Sequence, residues 1–114
     1  MISTLDDLRI WAPALATGKL LTRQMQEQRL QTVALPGQSP PDGYGLGLFN
    51  LGGWIGHNGS LPGYQTVAVY LPAAQTTLVI LINTDIPFGG KDPGTLLATA
   101  ITTELTPEHV YRIE

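Results

Sequence analysis

The chain has no cysteine, which excludes disulfides and thiolate metal sites and leaves the redox compartment open. Charge is scarce: Asp, Glu, Lys and Arg make up 13% of 114 residues, with a net charge of −3 and no basic cluster. A groove for nucleic acid would need such a cluster, so that class of partner is excluded. Long apolar runs are also missing. The longest, Leu78 to Ile82, is far too short to span a bilayer, and Met1-Ile2-Ser3-Thr4 runs directly into Asp6-Asp7 without the features of a signal peptide. Internal repeats and low-complexity tracts are absent too. What is abundant is apolar side chain, at 43% of the residues. That excludes disorder, and a domain this small is expected to leave part of that apolar surface uncovered.

The amino end carries a helical pattern. Ser3 reads as the N-cap, Asp6 as a short stand-in for the glutamate of a capping box, and Asp7 complements the helix dipole. Leu5, Leu8, Trp11, Ala12 and Leu15 recur at helical spacing up to Gly18, and Pro13 predicts a kink or break near Ala12. A second short helix is predicted from Thr22 to about Leu30, with a solvated Gln- and Arg-rich face. Three prolines between Pro36 and Asp42 make a loop. Beyond it the period changes to that of strands: Tyr44–Phe49, Trp54–His57, Gln65–Leu71 and Thr76–Thr84. The unbroken Leu78–Ile82 centre predicts burial on both faces, and Pro72-Ala73-Ala74-Gln75 predicts a hairpin. Pro93 can open a last helix running to Leu105. The fold class is α+β: an antiparallel sheet of three to four strands, with amino-terminal helices and a carboxy-terminal helix, as a single domain over residues 1–114. One carboxy-terminal helix covers one sheet face. The other face needs the amino-terminal helices, a partner chain or further sequence.

The stretch richest in chemistry is Gly56-His57-Asn58-Gly59-Ser60-Leu61-Pro62-Gly63-Tyr64, approached by Tyr44-Gly45-Leu46-Gly47-Leu48 and Trp54. Together with Ser3-Thr4-Leu5-Asp6-Asp7-Leu8, which matches a Ser-Thr-x-x-Asp-Leu helix start, it resembles the class C β-lactamases and D-alanyl-D-alanine peptidases. That family includes penicillin-binding-protein-like and esterase relatives. The order of the motifs matches over nearly the whole chain. The His-x-Gly triplet alone is weakly specific, and the specificity lies in the combination.

The resemblance implies a part of the β-lactamase/transpeptidase-like fold and a role for each residue of the triplet. His57 would project into the cleft toward a substrate carboxylate or the catalytic hydroxyls. Asn58 would point into the protein, and Gly59 would let a substrate backbone lie against the strand. Ser60 would give its amide N–H as one of two oxyanion donors, and Tyr64 would form a cleft wall. The family's nucleophile is the serine of a Ser-x-x-Lys motif, supported by a Tyr-x-Asn-type triplet. Ser3, Ser39 and Ser60 all lack a lysine three residues on, and no tyrosine begins Tyr-x-Asn. The expectation is therefore a carboxy-terminal portion of a larger serine hydrolase, inactive as this chain alone, because nucleophilic catalysis needs an activated nucleophile beside its base.

Plainer readings stand beside these. His57 on a short strand could be a structural histidine, and Asn58-Gly59 is also a favoured two-residue hairpin turn. Tyr64 could be an ordinary strand-start aromatic, Trp11 and Trp54 core or interface anchors, and His109 a solvated tail residue. Two distant histidines are weak evidence for a metal, so no metal or organic cofactor is expected. The expected partner is a small-molecule or peptide substrate. The alternative is a non-catalytic binding or assembly module that oligomerises through an uncovered sheet face. Family analogy places most relatives in the bacterial cell envelope and some esterase-like ones in the cytoplasm.

Overall fold

The structure is a computed structural model and describes residues 2–113. Helix α1 spans Leu5–Thr17 and α2 spans Arg23–Arg29. Five strands follow: β1 (Gly43–Tyr44), β2 (Phe49–Leu51), β3 (Trp54–Leu61), β4 (Tyr64–Leu71) and β5 (Thr76–Ile82). Helix α3 (Pro93–Leu105) comes last. All strands pair antiparallel in the order β1-β2-β3-β4-β5, so each is joined to the next in sequence. The fold is α+β as expected, with five strands where the sequence pattern indicated three to four.

The extra strand arises within Tyr44–Phe49. Its alternating glycines mimic one strand, but the Gly45 N–H donates to the Leu48 carbonyl (2.8 Å) and Gly47 takes φ 74°, which closes a turn. The segment is also held against α2, whose Arg29 carbonyl accepts from the Leu46 N–H at 3.0 Å. The hairpin between β2 and β3 turns on Gly52-Gly53, both at positive φ, the conformation such two-residue turns require. Asp42 fixes that turn by accepting from the Gly52 N–H at 2.9 Å.

At the amino end the N-cap is Thr4, not Ser3. The Thr4 hydroxyl accepts from the Asp7 N–H (3.1 Å) and donates to the Asp7 carboxylate (2.9 Å). Helix α1 runs through Pro13 without a break. The bond lost there would have joined the carbonyl of Arg9, in an exposed part of the helix where water can replace the missing donor. Gly18 ends the helix in the left-handed conformation, its N–H bonding back to Leu15. The polar face of α2 is not wholly solvated. Gln26 is buried, and its side-chain amide donates to the last carbonyls of α1, Leu15 (3.3 Å) and Ala16 (2.9 Å).

The core lies on one face of the sheet. Leu51, Trp54, Val67, Val69 and Leu71 pack there with Ala98 of α3 and Tyr111 of the tail. Alternate residues of a strand face opposite ways, so Ala68 and Tyr70 face the other side, where α1 runs along β3, β4 and β5. Each large apolar side chain fully buried here contributes about 1.5–3 kcal/mol. The β5 run Leu78–Ile82 is less covered than its composition predicts: it forms an edge of the sheet, and Leu81 is 45% exposed. Apolar exposure is widespread elsewhere too, with Leu5, Ile10 and Trp11 on α1 and Ile86 and Phe88 beyond β5 reaching solvent.

The carboxy-terminal tail is docked, and His109 is not a solvated residue. The His109 carbonyl accepts from Trp54 Nε1 (2.7 Å), and its Nδ1 lies 2.9 Å from the Gly52 carbonyl. The Thr102 hydroxyl then accepts from the Tyr111 N–H at 2.9 Å and donates to the Ala98 carbonyl at 2.7 Å. Tyr111 is buried, and desolvation pushes its phenol well above the ordinary tyrosine range.

Candidate active site strand

Strand β3 is longer than the four residues expected, and its second half stands alone on one side. Strand β2 pairs only with Trp54, Ile55 and Gly56. On the other side β4 pairs with the strand as far as Leu61 opposite Tyr64. Residues His57 to Leu61 are therefore bonded on one edge and open on the other. The hairpin turn falls at Pro62-Gly63, with Gly63 at φ 84°. Asn58-Gly59 lies in mid-strand and is not a turn.

Register assigns the side chains to faces. His57 opposes Ala68, Gly59 opposes Thr66 and Leu61 opposes Tyr64. These residues share one face, which puts Tyr64, 63% exposed, on the same side of the sheet as His57 and Gly59. Asn58 and Ser60 lie on the other face. Asn58 there borders an open depression with Lys91, Asp92 and Thr95 at the start of α3.

The backbone of the open edge can be oriented as well. With the turn at Pro62-Gly63, Leu61 and Tyr64 are the hydrogen-bonded closing pair, so Asn58 opposite Val67 falls in the set not bonded to β4, and its carbonyl lies beside His57 Nδ1. In an antiparallel pair, residues two apart turn their N–H and C=O groups the same way. Ser60 thus directs its N–H away from β4, to the edge that β2 leaves free.

The two glycines of β3 are there for different reasons. A Cβ on Gly56 would overlap the Ala68 carbonyl oxygen and come within 2.8 Å of Val69 Cα. A Cβ on Gly59 would meet nothing within 4 Å, and its φ lies outside the range that favours glycine. Nothing within this chain requires glycine at position 59; the space in front of it is open.

His57 is half-buried in an aromatic corner. Its ring centroid lies 4.8 Å from that of Phe49 and 5.6 Å from that of Tyr44, the latter edge-on at 85°. Tyr44 Oη sits 3.1 Å from His57 Nε2. Tyr44 is itself fixed through both its N–H and its carbonyl, which exchange two 2.9 Å bonds with Val33. Sequence reading treated Tyr44 only as part of an aromatic approach to the triplet, and Phe49 only as the end of a strand. Thirteen residues separate Tyr44 from His57, and only the turn at Gly45–Leu48 brings them together. Among the described residues no group of three His, Cys, Asp or Glu side chains could hold a metal ion, and no helix is long and apolar enough to cross a membrane.

The Beta-lactamase family model matches residues 1–101, and the chain belongs to that family. Among solved structures it is similar to a D-stereospecific amidohydrolase from Streptomyces sp., at 26% identity and a TM-score of 0.69. That match covers 92% of this chain and 30% of the amidohydrolase chain, so the chain spans under a third of that relative's length. A search of the curated proteins gives no match.

Proposed function

We propose that this chain is the substrate-facing strand portion of a serine hydrolase that works through an acyl-enzyme. In the intact protein a serine outside these 114 residues attacks a carbonyl, the leaving group departs, and water releases the acyl group. Candidate substrates are a β-lactam, a D-Ala-D-Ala-type peptide, an ester or, by analogy with the amidohydrolase, an amide at a D-configured centre. Gly59 admits the substrate backbone to the β3 edge, and the Ser60 N–H is one of the two donors to the developing oxyanion. His57 and Tyr64 flank the substrate on the same face of the sheet.

One observation carries this reading. The strand position at which the fold has no need of glycine is the third residue of His57-Asn58-Gly59, beside an edge with unpaired backbone donors. The nucleophile is placed outside because none of Ser3, Ser39 and Ser60 has a lysine three residues on.

The test is hydrolysis of a chromogenic cephalosporin, a p-nitrophenyl ester and a D-amino-acid amide by the 114-residue chain, with His57→Ala as control. The expected result is no turnover above background. Turnover abolished by His57→Ala would show a working nucleophile within the chain and overturn the assignment.

A second reading is favoured by the exposed apolar surface of α1, where Leu5 is 54%, Ile10 65% and Trp11 46% exposed. On this reading the chain is a binding or assembly module that pairs through that helix surface, not through an uncovered sheet face as the sequence suggested, because α1 and α3 pack on the sheet's two faces. Sedimentation separates the two: a concentration-independent monomer removes the assembly reading, and a dimer lost on Trp11→Glu supports it.

A further inference from the structure

We propose that Tyr44 is a positioning residue for His57, its hydroxyl donating to Nε2 and so reinforcing the tautomer protonated on Nδ1 that the Asn58 carbonyl selects. A carbonyl oxygen can only accept, so the contact between His57 Nδ1 and the Asn58 carbonyl requires the proton to be on Nδ1. In the neutral ring Nε2 is then a bare lone pair, and the hydrogen-bond donor beside it among the described residues is the Tyr44 hydroxyl, at 3.1 Å. The Asn58 carbonyl admits only that tautomer, and the Tyr44 hydroxyl reinforces it, because a phenol O–H donates to a bare imidazole nitrogen more strongly than its oxygen accepts from an imidazole N–H.

The arrangement is braced. Phe49 lies against the imidazole at 4.8 Å and against the Tyr44 ring at 4.8 Å, and Val33 holds the Tyr44 backbone from the outer side. The hydroxyl is thus delivered by a pinned strand, not by a mobile loop.

This has a chemical consequence for the site, and that consequence rests on the proposed function. A group that displaces the Tyr44 hydroxyl from Nε2 of the neutral ring meets a lone pair, so it must itself be a donor, such as a hydroxyl, an ammonium or an amide N–H. A carboxylate only accepts, and can bind there only when the ring is protonated. Neutral His57 is therefore set to accept a hydrogen bond from the reacting groups, not to hold a substrate carboxylate.

The experiment is long-range 1H–15N correlation on the histidine-labelled chain near pH 8, with His57 distinguished from His109 by its loss in His57→Gln. Wild type is expected to show His57 predominantly protonated on Nδ1. Tyr44→Phe removes one neutral hydrogen bond and is expected to lower the Nδ1–H to Nε2–H ratio about fivefold. Phe49→Leu, which removes packing but keeps the hydroxyl, is expected to leave the ratio near wild type. A wild-type ring protonated mainly on Nε2, or an unchanged ratio in Tyr44→Phe, overturns the proposal. If Tyr44→Phe does not fold, fluorotyrosine labelling replaces it. The more acidic hydroxyl must then shift the His57 Nε2 resonance, and an unmoved resonance refutes the bond. None of these readouts depends on turnover, so a wrong tautomer leaves the β3 assignment standing, and a failed β3 assignment leaves the tautomer measurable.

Discussion

Gly56 and Gly59 lie three residues apart on one strand, and replacing each by alanine should change stability in opposite directions. At position 56 the new methyl would overlap the Ala68 carbonyl oxygen and press on Val69, backbone and side chain that the β3–β4 ladder holds in place. Overpacking against groups that cannot move costs about 1–3 kcal/mol. At position 59 the methyl enters open space at a backbone angle that any residue can adopt. Removing glycine's unfolded-state entropy there should stabilise by about 0.4–1 kcal/mol. With roughly 4 °C per kcal/mol for a domain near this size, Gly56→Ala should lower Tm by about 4–12 °C and Gly59→Ala should raise it by about 2–4 °C. Thermal unfolding followed by circular dichroism, backed by urea titrations with unchanged m-values, measures both. If Gly59→Ala proves as destabilising as Gly56→Ala, then the fold itself demands that glycine. The argument that its open space is kept for a ligand then fails.

Thr102→Val keeps the shape of a buried side chain but leaves the Tyr111 N–H without its acceptor, so it should cost about 1–3 kcal/mol in urea unfolding. Thr4→Ala should cost about 1 kcal/mol and Ser3→Ala close to nothing, because Thr4 is the residue that caps α1. Tyr111→Phe removes a buried hydroxyl that has no hydrogen-bond partner among the described residues, so it should leave stability at pH 7 unchanged or improved. Its pH dependence follows from linkage. Burial raises the folded-state pKa of Tyr111 above its unfolded value, so the unfolded chain loses that proton first as pH rises. Wild-type stability should fall above about pH 10, and Tyr111→Phe should lack that part of the fall.

Much of the fold could be read locally. Pro93 at the first turn and apolar spacing to Leu105 define α3, and Gly18 ends α1 as its position suggested. The readings that failed needed information from distant residues. Tyr44–Phe49 looked like a strand because glycine and apolar residues alternate, yet glycine also permits the turn that α2 stabilises through Arg29. Gln26 looked solvated because glutamine usually is, and its burial depends on α1 ending where its carbonyls need a donor. His109 looked like a solvated tail residue because its partners, Gly52 and Trp54, lie far back in the sequence. The apolar run in β5 indicated a strand correctly, but not that it would lie at the sheet edge.

The candidate site was legible as a triplet and not as a geometry. His57-Asn58-Gly59-Ser60 is a pattern of residue types, and the sequence left open whether Asn58-Gly59 was a turn. Pro62-Gly63 takes the turn, which extends β3 past β2 and creates the open edge. The contribution of Tyr44 depends on a hairpin that the alternating pattern concealed.

Residue-resolved hydrogen exchange across β3 and β4 tests the central claim most directly, because an oxyanion donor must have its N–H free of the sheet. The account expects the Ser60 amide to exchange fast, while the Gly59 and Thr66 amides, directed at each other across the ladder, are protected at least tenfold more. A Ser60 amide as protected as that of Gly59 would mean that its N–H is engaged with β4, and would contradict the role given to this edge.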